Sequence, residues 1–496
     1  MLERAEKKTD FSKKEYKQMI KPIKDELATL QLSVNKADLP VIIIFEGFGA
    51  AGKGDITASL ISELDPRFFN VKSNLPPNDE ETSKPFLFRY WRDIPSRGTI
   101  SILDRSWYQE TVSSLFDKKL SKKQLEKRIN SINTFERQLT DDGYLIIKIF
   151  LHIEKKEQQK RFAKLLESDR TSWRVTEKDL KRNKHYDEYS EAFDTVLEKT
   201  SSNNAPWHIV SSADKQYAKL EVLKLTTKTI NAKLLLGANC TDGVNTIKPL
   251  KPTFTLVPMP ELSEIDLSKS ISDEKYDKEL EKEQKKLSEL QNIILAKEFA
   301  VTIAFEGWDA AGKGGAIRRI SSALDPRGYD AIPVSAPQGE EKTKHYLWRF
   351  WKNAPPKSFI TIFDRTWYGR VLVENVEGFT SKERCEQAYQ EINEFEYELS
   401  QSGIVLIKFW LHIDKDEQER RFSERQNTPE KQWKITNEDW RNRDKWDEYE
   451  LAVNEMLKKT STDFSPWKII EGNDKKYARI KILKTINKAL EEALKD

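Results

Sequence analysis

Cysteine is almost missing from this chain, with only Cys240 and Cys385 among 496 residues. Two thiols of unrelated position argue against a disulfide framework or a sulfur-rich metal site. Long apolar runs are missing too. None approaches the ~20 residues needed to cross a bilayer, and Met1-Leu2-Glu3-Arg4-Ala5-Glu6 lacks a signal peptide's apolar core. A cytoplasmic location with no membrane partner is therefore expected. Excess charge is the third scarcity. Charged residues make up 33% of the chain, yet 84 basic residues against 81 acidic ones leave a formal net charge of only +3. That balance gives no bulk attraction for a polyanion, so nucleic acid is not an expected partner and any anion site must arise from local clustering.

What is present is a glycine-rich loop that occurs twice. The copies read Gly47-Phe48-Gly49-Ala50-Ala51-Gly52-Lys53-Gly54 and Gly307-Trp308-Asp309-Ala310-Ala311-Gly312-Lys313-Gly314, 260 positions apart (307 − 47). Each follows an apolar run ending in Phe-Glu and leads into a helix-compatible stretch, the setting in which loop amides and a lysine cradle phosphate. The same offset aligns the halves almost end to end. We read an N-terminal domain over 1–235, a linker over 236–268 holding Pro249, Pro252, Pro258 and Pro260, and a C-terminal catalytic domain over 269–496.

In each half, apolar runs alternate with helix-compatible segments. Helices are expected at 11–37 and 271–297, and strands at 41–46, 301–306 and 329–334. Further strands are expected at Phe359–Phe363, Ile404–Leu411 and Trp467–Ile470, with repeats of these in the first half. The helix after each loop should run to Leu64 or Leu324, ahead of Asp-Pro-Arg. Tyr346, Leu347, Phe350 and Trp351 are placed on another helix, with 67–91 as the counterpart. The order implies two tandem α/β phosphate-loop units, each a three-layer sandwich on a mainly parallel sheet, with ligands beyond the strand C-termini.

Glycine follows the loop lysine, at Gly54 and Gly314, where most phosphate loops carry the Ser or Thr that holds Mg²⁺. The second half offers Asp309 in the loop and Asp364 at a strand end, two carboxylates suited to a hard ion that keeps several waters. A helix N-cap for Asp364 and an Asx-type turn for Asp309 are the alternatives. The first half replaces Asp309 by Gly49, Arg318 by Ala58, Arg319 by Ser59, His345 by Pro85, Arg370 by Glu110 and Arg425 by Leu165. This one-sided loss resembles an abandoned active site. Phosphoryl transfer explains such arginines, since its transition state spreads negative charge over the transferred group. Arg365, Arg370, Arg421 and Arg425 are candidates to clamp donor and acceptor phosphates, and Arg318 and Arg319 to begin a basic track for a long donor. Gly307, Ala310, Ala311, Gly312 and Gly314 would supply the loop backbone. The tryptophans are read mostly as core or interface. Trp433-Lys434 would cap a base from a lid, although Trp173-Arg174 persists in the weaker copy.

The loop together with Tyr346-Leu347-Trp348-Arg349, Asp364-Arg365-Thr366-Trp367-Tyr368-Gly369-Arg370 and Leu411-His412-Ile413 resembles the polyphosphate kinase 2 family, through both halves. The resemblance implies a thymidylate-kinase-like fold and Mg²⁺- or Mn²⁺-dependent transfer of phosphate from inorganic polyphosphate to a nucleotide. It assigns function to Asp309, Lys313, Asp364, Arg365 and Arg370, and a lid to the segment around Arg421 and Arg425. Fused two-domain members convert AMP to ADP through the C-terminal domain. Alternatives are phosphorylation of ADP or GDP to the triphosphate or its reverse, an ATP-using monophosphate kinase, and a non-catalytic polyphosphate-binding scaffold. The paired halves are read as mimicking a dimer of one-domain relatives, and homo-oligomerisation is left open.

Overall fold

A computed structural model describes residues 1–2, 12–236, 251–435 and 437–495. The chain forms two compact units. The first comprises Met1–Pro77, Arg89–Lys251 and Lys342–His345, and the second comprises Asn78–Phe88, Pro252–Glu341 and Tyr346–Asp496.

In the first unit, β1 (Val41–Gly47), β2 (Phe69–Ser73), β3 (Ile100–Asp104), β4 (Leu145–His152) and β5 (Trp207–Ser211) form one parallel sheet in the order β2-β3-β1-β4-β5. The second unit repeats it with β6 (Ala300–Gly307), β7 (Tyr329–Pro333), β8 (Phe359–Asp364), β9 (Ile404–His412) and β10 (Trp467–Glu471), in the order β7-β8-β6-β9-β10. Both sheets carry flanking helices, so the α/β expectation holds and every strand pair is parallel. Burial explains the central strands. Every residue of β1 is buried, because a parallel strand covered on both faces needs a continuous apolar run.

Some boundaries differ from the sequence expectation. The helices after the loops stop at Ile61 and Ser321. Ser62 and Ser322 still have helical dihedrals, and the chain then turns so that Asp65 and Asp325 cap short 3₁₀ turns opened by proline. The helix expected to carry Tyr346 is only Trp348–Lys352, and its counterpart region 67–91 also holds β2. Of the linker stretch, 237–250 lies outside the described residues, as does Cys240. Residues 252–265 are folded onto the second unit. Val257 N donates to Ser461 O (2.6 Å), Asp463 N to Thr255 O (3.0 Å), and Phe254 packs between Tyr397 and Phe464. Apart from a 3₁₀ turn at Leu262–Glu264, this segment has no helix or strand of its own and bridges to the stretch around Ser461 and Asp463.

A buried ionic network fastens β9 to its surroundings. Lys408 Nζ donates to Glu396 Oε2 (2.7 Å), Tyr368 Oη (2.9 Å) and Thr460 O (2.8 Å), with Lys408 and Glu396 both fully buried. Trp367 Nε1 and the Tyr368 hydroxyl complete the Glu396 carboxylate at 3.0 and 2.5 Å. Lys148, Glu136, Tyr108, Trp107 and Thr200 repeat the arrangement in the first unit. Removing one partner of such a pair strands the other charge. Lys408→Met should therefore cost about 3 kcal/mol in guanidinium unfolding, and adding Glu396→Gln should recover most of it. A single variant within about 1 kcal/mol of the parent would show that the network does not carry this burden.

Candidate active site

The second unit's loop leaves β6 at Gly307, whose φ is +151°, and a Cβ there would lie 2.6 Å from the Leu411 carbonyl oxygen. Only glycine lets the loop start this close to β9. Ala310 takes φ +61°, Gly312 takes +113°, and the helix Lys313–Ser321 begins with Gly312 as its cap. Its first amides are thus left to a ligand, with no side chain capping them. Lys313 Nζ curls back to Gly307 O (2.5 Å) and Trp308 O (3.2 Å), which places the ammonium across the loop.

Asp309 is held from two directions. Arg365 Nη2 donates to Oδ1 (3.1 Å) and Asn442 Nδ2 to Oδ2 (3.0 Å). Burial opposes ionisation here. The charges of Lys313 and Arg365 and the two hydrogen bonds outweigh it, so the carboxyl sits below its usual range and is ionised at neutral pH. Its oxygens do not serve an Asx turn. Asp364 ends β8 opposite Phe305 of β6, and the N-cap role after it falls to Thr366, not Asp364. Arg365 adopts φ +64°, an unusual conformation for a non-glycine residue, and its amide bonds to Phe305 O (3.0 Å). Such strain at a strand end is characteristic of sites that need a side chain aimed in one direction. Buried Glu306 braces this corner by accepting from Thr366 N (2.7 Å) and Oγ1 (2.8 Å).

Arg370 lies over the Tyr346 ring (4.5 Å to its centroid) and donates to Glu374 Oε2 (2.6 Å). Arg421 is placed quite differently from the sequence expectation. Its Nε donates to Glu417 (2.5 Å), Nη1 to Ala310 O and Ala311 O (2.9 and 3.0 Å), and Nη2 to Gly472 O and Asn473 O (2.6 and 3.0 Å). A guanidinium has five N–H donors. All five are spent on protein, so Arg421 holds the loop's carbonyls in place and has none left for phosphate. Gln418, one turn earlier on the helix Lys415–Gln426, donates to Asp309 O (3.1 Å). Arg425, one turn later, is half-buried near Arg421. Arg318 is exposed, whereas Arg319 returns to Gly315 O (3.2 Å).

Thus the structure gathers Asp309, Lys313, Asp364 and Arg365 around the loop mouth, and it turns Arg421 underneath. Sequence reasoning missed Glu306, Gln418 and Asn442. Glu306 and Gln418 had a signal, since Glu46 and Gln158 repeat them at the same offset; Asn442 had none, because Arg182 replaces it. Trp433 has no described side chain. Trp173 is 71% exposed beside Arg174, whereas Trp308 stacks on Trp446 at 3.8 Å within the core.

The polyphosphate kinase 2 family profile matches residues 10–235 and again 270–496. The chain belongs to the polyphosphate kinase 2 family. It is 40% identical to a polyphosphate:AMP phosphotransferase of Pseudomonas aeruginosa, over 100% of this chain and 99% of that one. A protein of the same name from Acinetobacter johnsonii is 37% identical, over 91% and 90%. A crystal structure described as polyphosphate kinase 2 from Pseudomonas aeruginosa superposes with a TM-score of 0.87 at 38% identity, covering both chains completely. Among the described residues, no helix is long and apolar enough to cross a membrane.

One further family position is readable electrostatically. His412 ends β9 and accepts from Trp308 Nε1 at Nδ1 (3.0 Å), so the ring is neutral. Burial drives its pKa down to about 4, against weaker opposition from a Leu262 backbone hydrogen bond and from Asp414 and Glu471. Because the folded value lies below the unfolded one, the unfolded chain binds the extra proton between the two. Stability of the second unit should fall as pH drops from about 6.5 to about 4, by up to about 3 kcal/mol. His412→Asn should flatten that slope in urea titrations across this range, and an unchanged slope would clear His412 of the effect.

Proposed function

We infer that the chain transfers the terminal phosphoryl group of inorganic polyphosphate to AMP, giving ADP, and that the second unit carries the reaction. The observation behind this reading is the ionised Asp309 held between Arg365 and Asn442 beside Lys313, an arrangement the first unit lacks. An AMP phosphate oxygen attacks the terminal phosphorus of the chain in line. One P–O bond forms, the P–O bond to the bridging oxygen breaks, and a chain one phosphate shorter leaves. No general base is needed, because the AMP phosphate is already ionised near neutral pH. Lys313 and the loop amides hold phosphoryl oxygens, and Arg365, Arg370 and Arg425 offset the charge of two polyanions. Arg421 keeps the loop carbonyls turned away from the site, so the amides face the ligand.

Asp309 and Asp364 would hold Mg²⁺ or Mn²⁺. Among the described residues, no group of three or more metal-ligating side chains is clustered. Two carboxylates fit an ion that completes its shell with water and phosphate oxygens, as magnesium does with nucleotide substrates. When bound, the ion would neutralise charge between donor and acceptor. Neither a homo-oligomer nor a cytoplasmic location is required by this chemistry.

Purified protein given Mg²⁺, AMP and polyphosphate without ATP should form ADP on chromatography. ATP formation from ADP instead would move the activity to the triphosphate-forming branch, and turnover only with ATP as donor would overturn the polyphosphate reading. In the same assay, Asp309→Ala should lower kcat by about 10²-fold or more, as loss of a charge-organising group does. Near-normal turnover would remove Asp309 from the mechanism.

A further inference from the structure

Gly49 and Arg182 stand where the second unit has Asp309 and Asn442 (309 − 49 and 442 − 182 both give 260). Asp309 and Asn442 touch one another at 3.0 Å. The two differences therefore concern one spot, and both shift its charge the same way: a carboxylate is removed and a guanidinium is added. The consequence appears at Arg105. Its counterpart Arg365 gives one N–H to Asp309, whereas the Arg105 guanidinium makes no hydrogen bond or ion pair among the described residues. Arg105 lines a cavity at the first loop with Lys53, Arg182, Gln109, Gln158 and Asp179.

The loop itself has kept its shape. Ala50 and Gly52 take φ +58° and +102°, and Lys53 Nζ folds back to Gly47 O (3.0 Å) and Phe48 O (3.4 Å). Arg161 clamps the Ala50, Ala51, Ser212 and Ala213 carbonyls from below, as Arg421 does in the second unit. Arg182 is steadied by Ser113 Oγ (2.9 Å) and the Tyr189 ring. Around this mouth stand three cations, Lys53, Arg105 and Arg182, against Asp104 and Asp179. The aligned positions of the second unit carry Lys313 and Arg365 against Asp309, Asp364 and Asp439. The sign of the balance is reversed, from one that calls for a metal ion to one that attracts an anion directly. Turnover is disfavoured at the same place, because Glu110 replaces Arg370 and is held by Arg128 (3.5 Å) and Tyr90 (3.4 Å).

We propose that the first unit is a binding site for a phosphoryl oxyanion that, unlike the second, needs no divalent cation. The ligand is free inorganic phosphate or the terminal phosphoryl of an oligophosphate. The proposal does not depend on the reaction assigned to the second unit. Its test uses the full chain with the second site disabled by Lys313→Ala and Arg365→Ala. That protein is titrated calorimetrically in EDTA with inorganic phosphate and, separately, with tripolyphosphate. One site per chain should persist, and tighter binding of one ligand or the other identifies the source. Adding Arg182→Asn, the residue the second unit carries there, should weaken binding about 10-fold or more, and so should Lys53→Gln. Circular dichroism melting shows that each variant is folded. Absence of saturable binding, a requirement for Mg²⁺, or indifference to both substitutions would overturn the proposal.

Discussion

A buried lysine and glutamate anchor each unit of this protein. Lys408 and Glu396 are surrounded by Trp367, Tyr368 and the Thr460 carbonyl. Desolvation makes an incomplete version of such a cluster costly, so its members must arrive together. They come from β9, from two helices and from the turn that follows Asp364 and Arg365. The position of the strand-end acid and arginine is thereby tied to the packing of the core. The first unit keeps the whole arrangement in Lys148 and Glu136 although it has lost pocket groups. Fold and chemistry are separable here, because they depend on different residues.

The loop is held with similar economy. Gly307 brings it against β9, Gln418 takes one carbonyl from the side, and Arg421 takes two from beneath while bonding two more after β10. A buried arginine with every donor satisfied fixes the loop before any ligand arrives, the preorganisation that phosphate chemistry needs. Gln158 and Arg161 repeat the grip. Two equal frames thus present unequal charges. One carries Asp309 at its mouth, and the other carries Arg182 with an Arg105 guanidinium that has no partner among the described residues.

Much of this was legible in the residues. Continuous apolar runs ending in Phe-Glu located the central strands, because a doubly covered parallel strand tolerates few polar groups. Loop spacing located Lys313, and the 260-residue offset revealed both the duplication and the imbalance between copies. Arg421 was misjudged for a physical reason: helical spacing put it beside Arg425, but spacing does not say whether a side chain points to a ligand or to the carbonyls of distant loops. The proline-rich 252–265 stretch read as a connector, since its contacts are with residues 138 or more positions away.

The sequence by itself determined two α/β units, the phosphate loops, the family and which copy had lost charged groups. Those properties are written in local runs, fixed spacings and one-to-one differences between repeats. Only the tertiary structure decided which arginines are free and which are spent, that Asn442 reaches Asp309, and that Glu306 braces the corner behind Arg365. The last two contacts join residues 133 and 60 positions apart. Hydrogen-bond donors are exhausted or left available by three-dimensional neighbours, and no linear pattern records that.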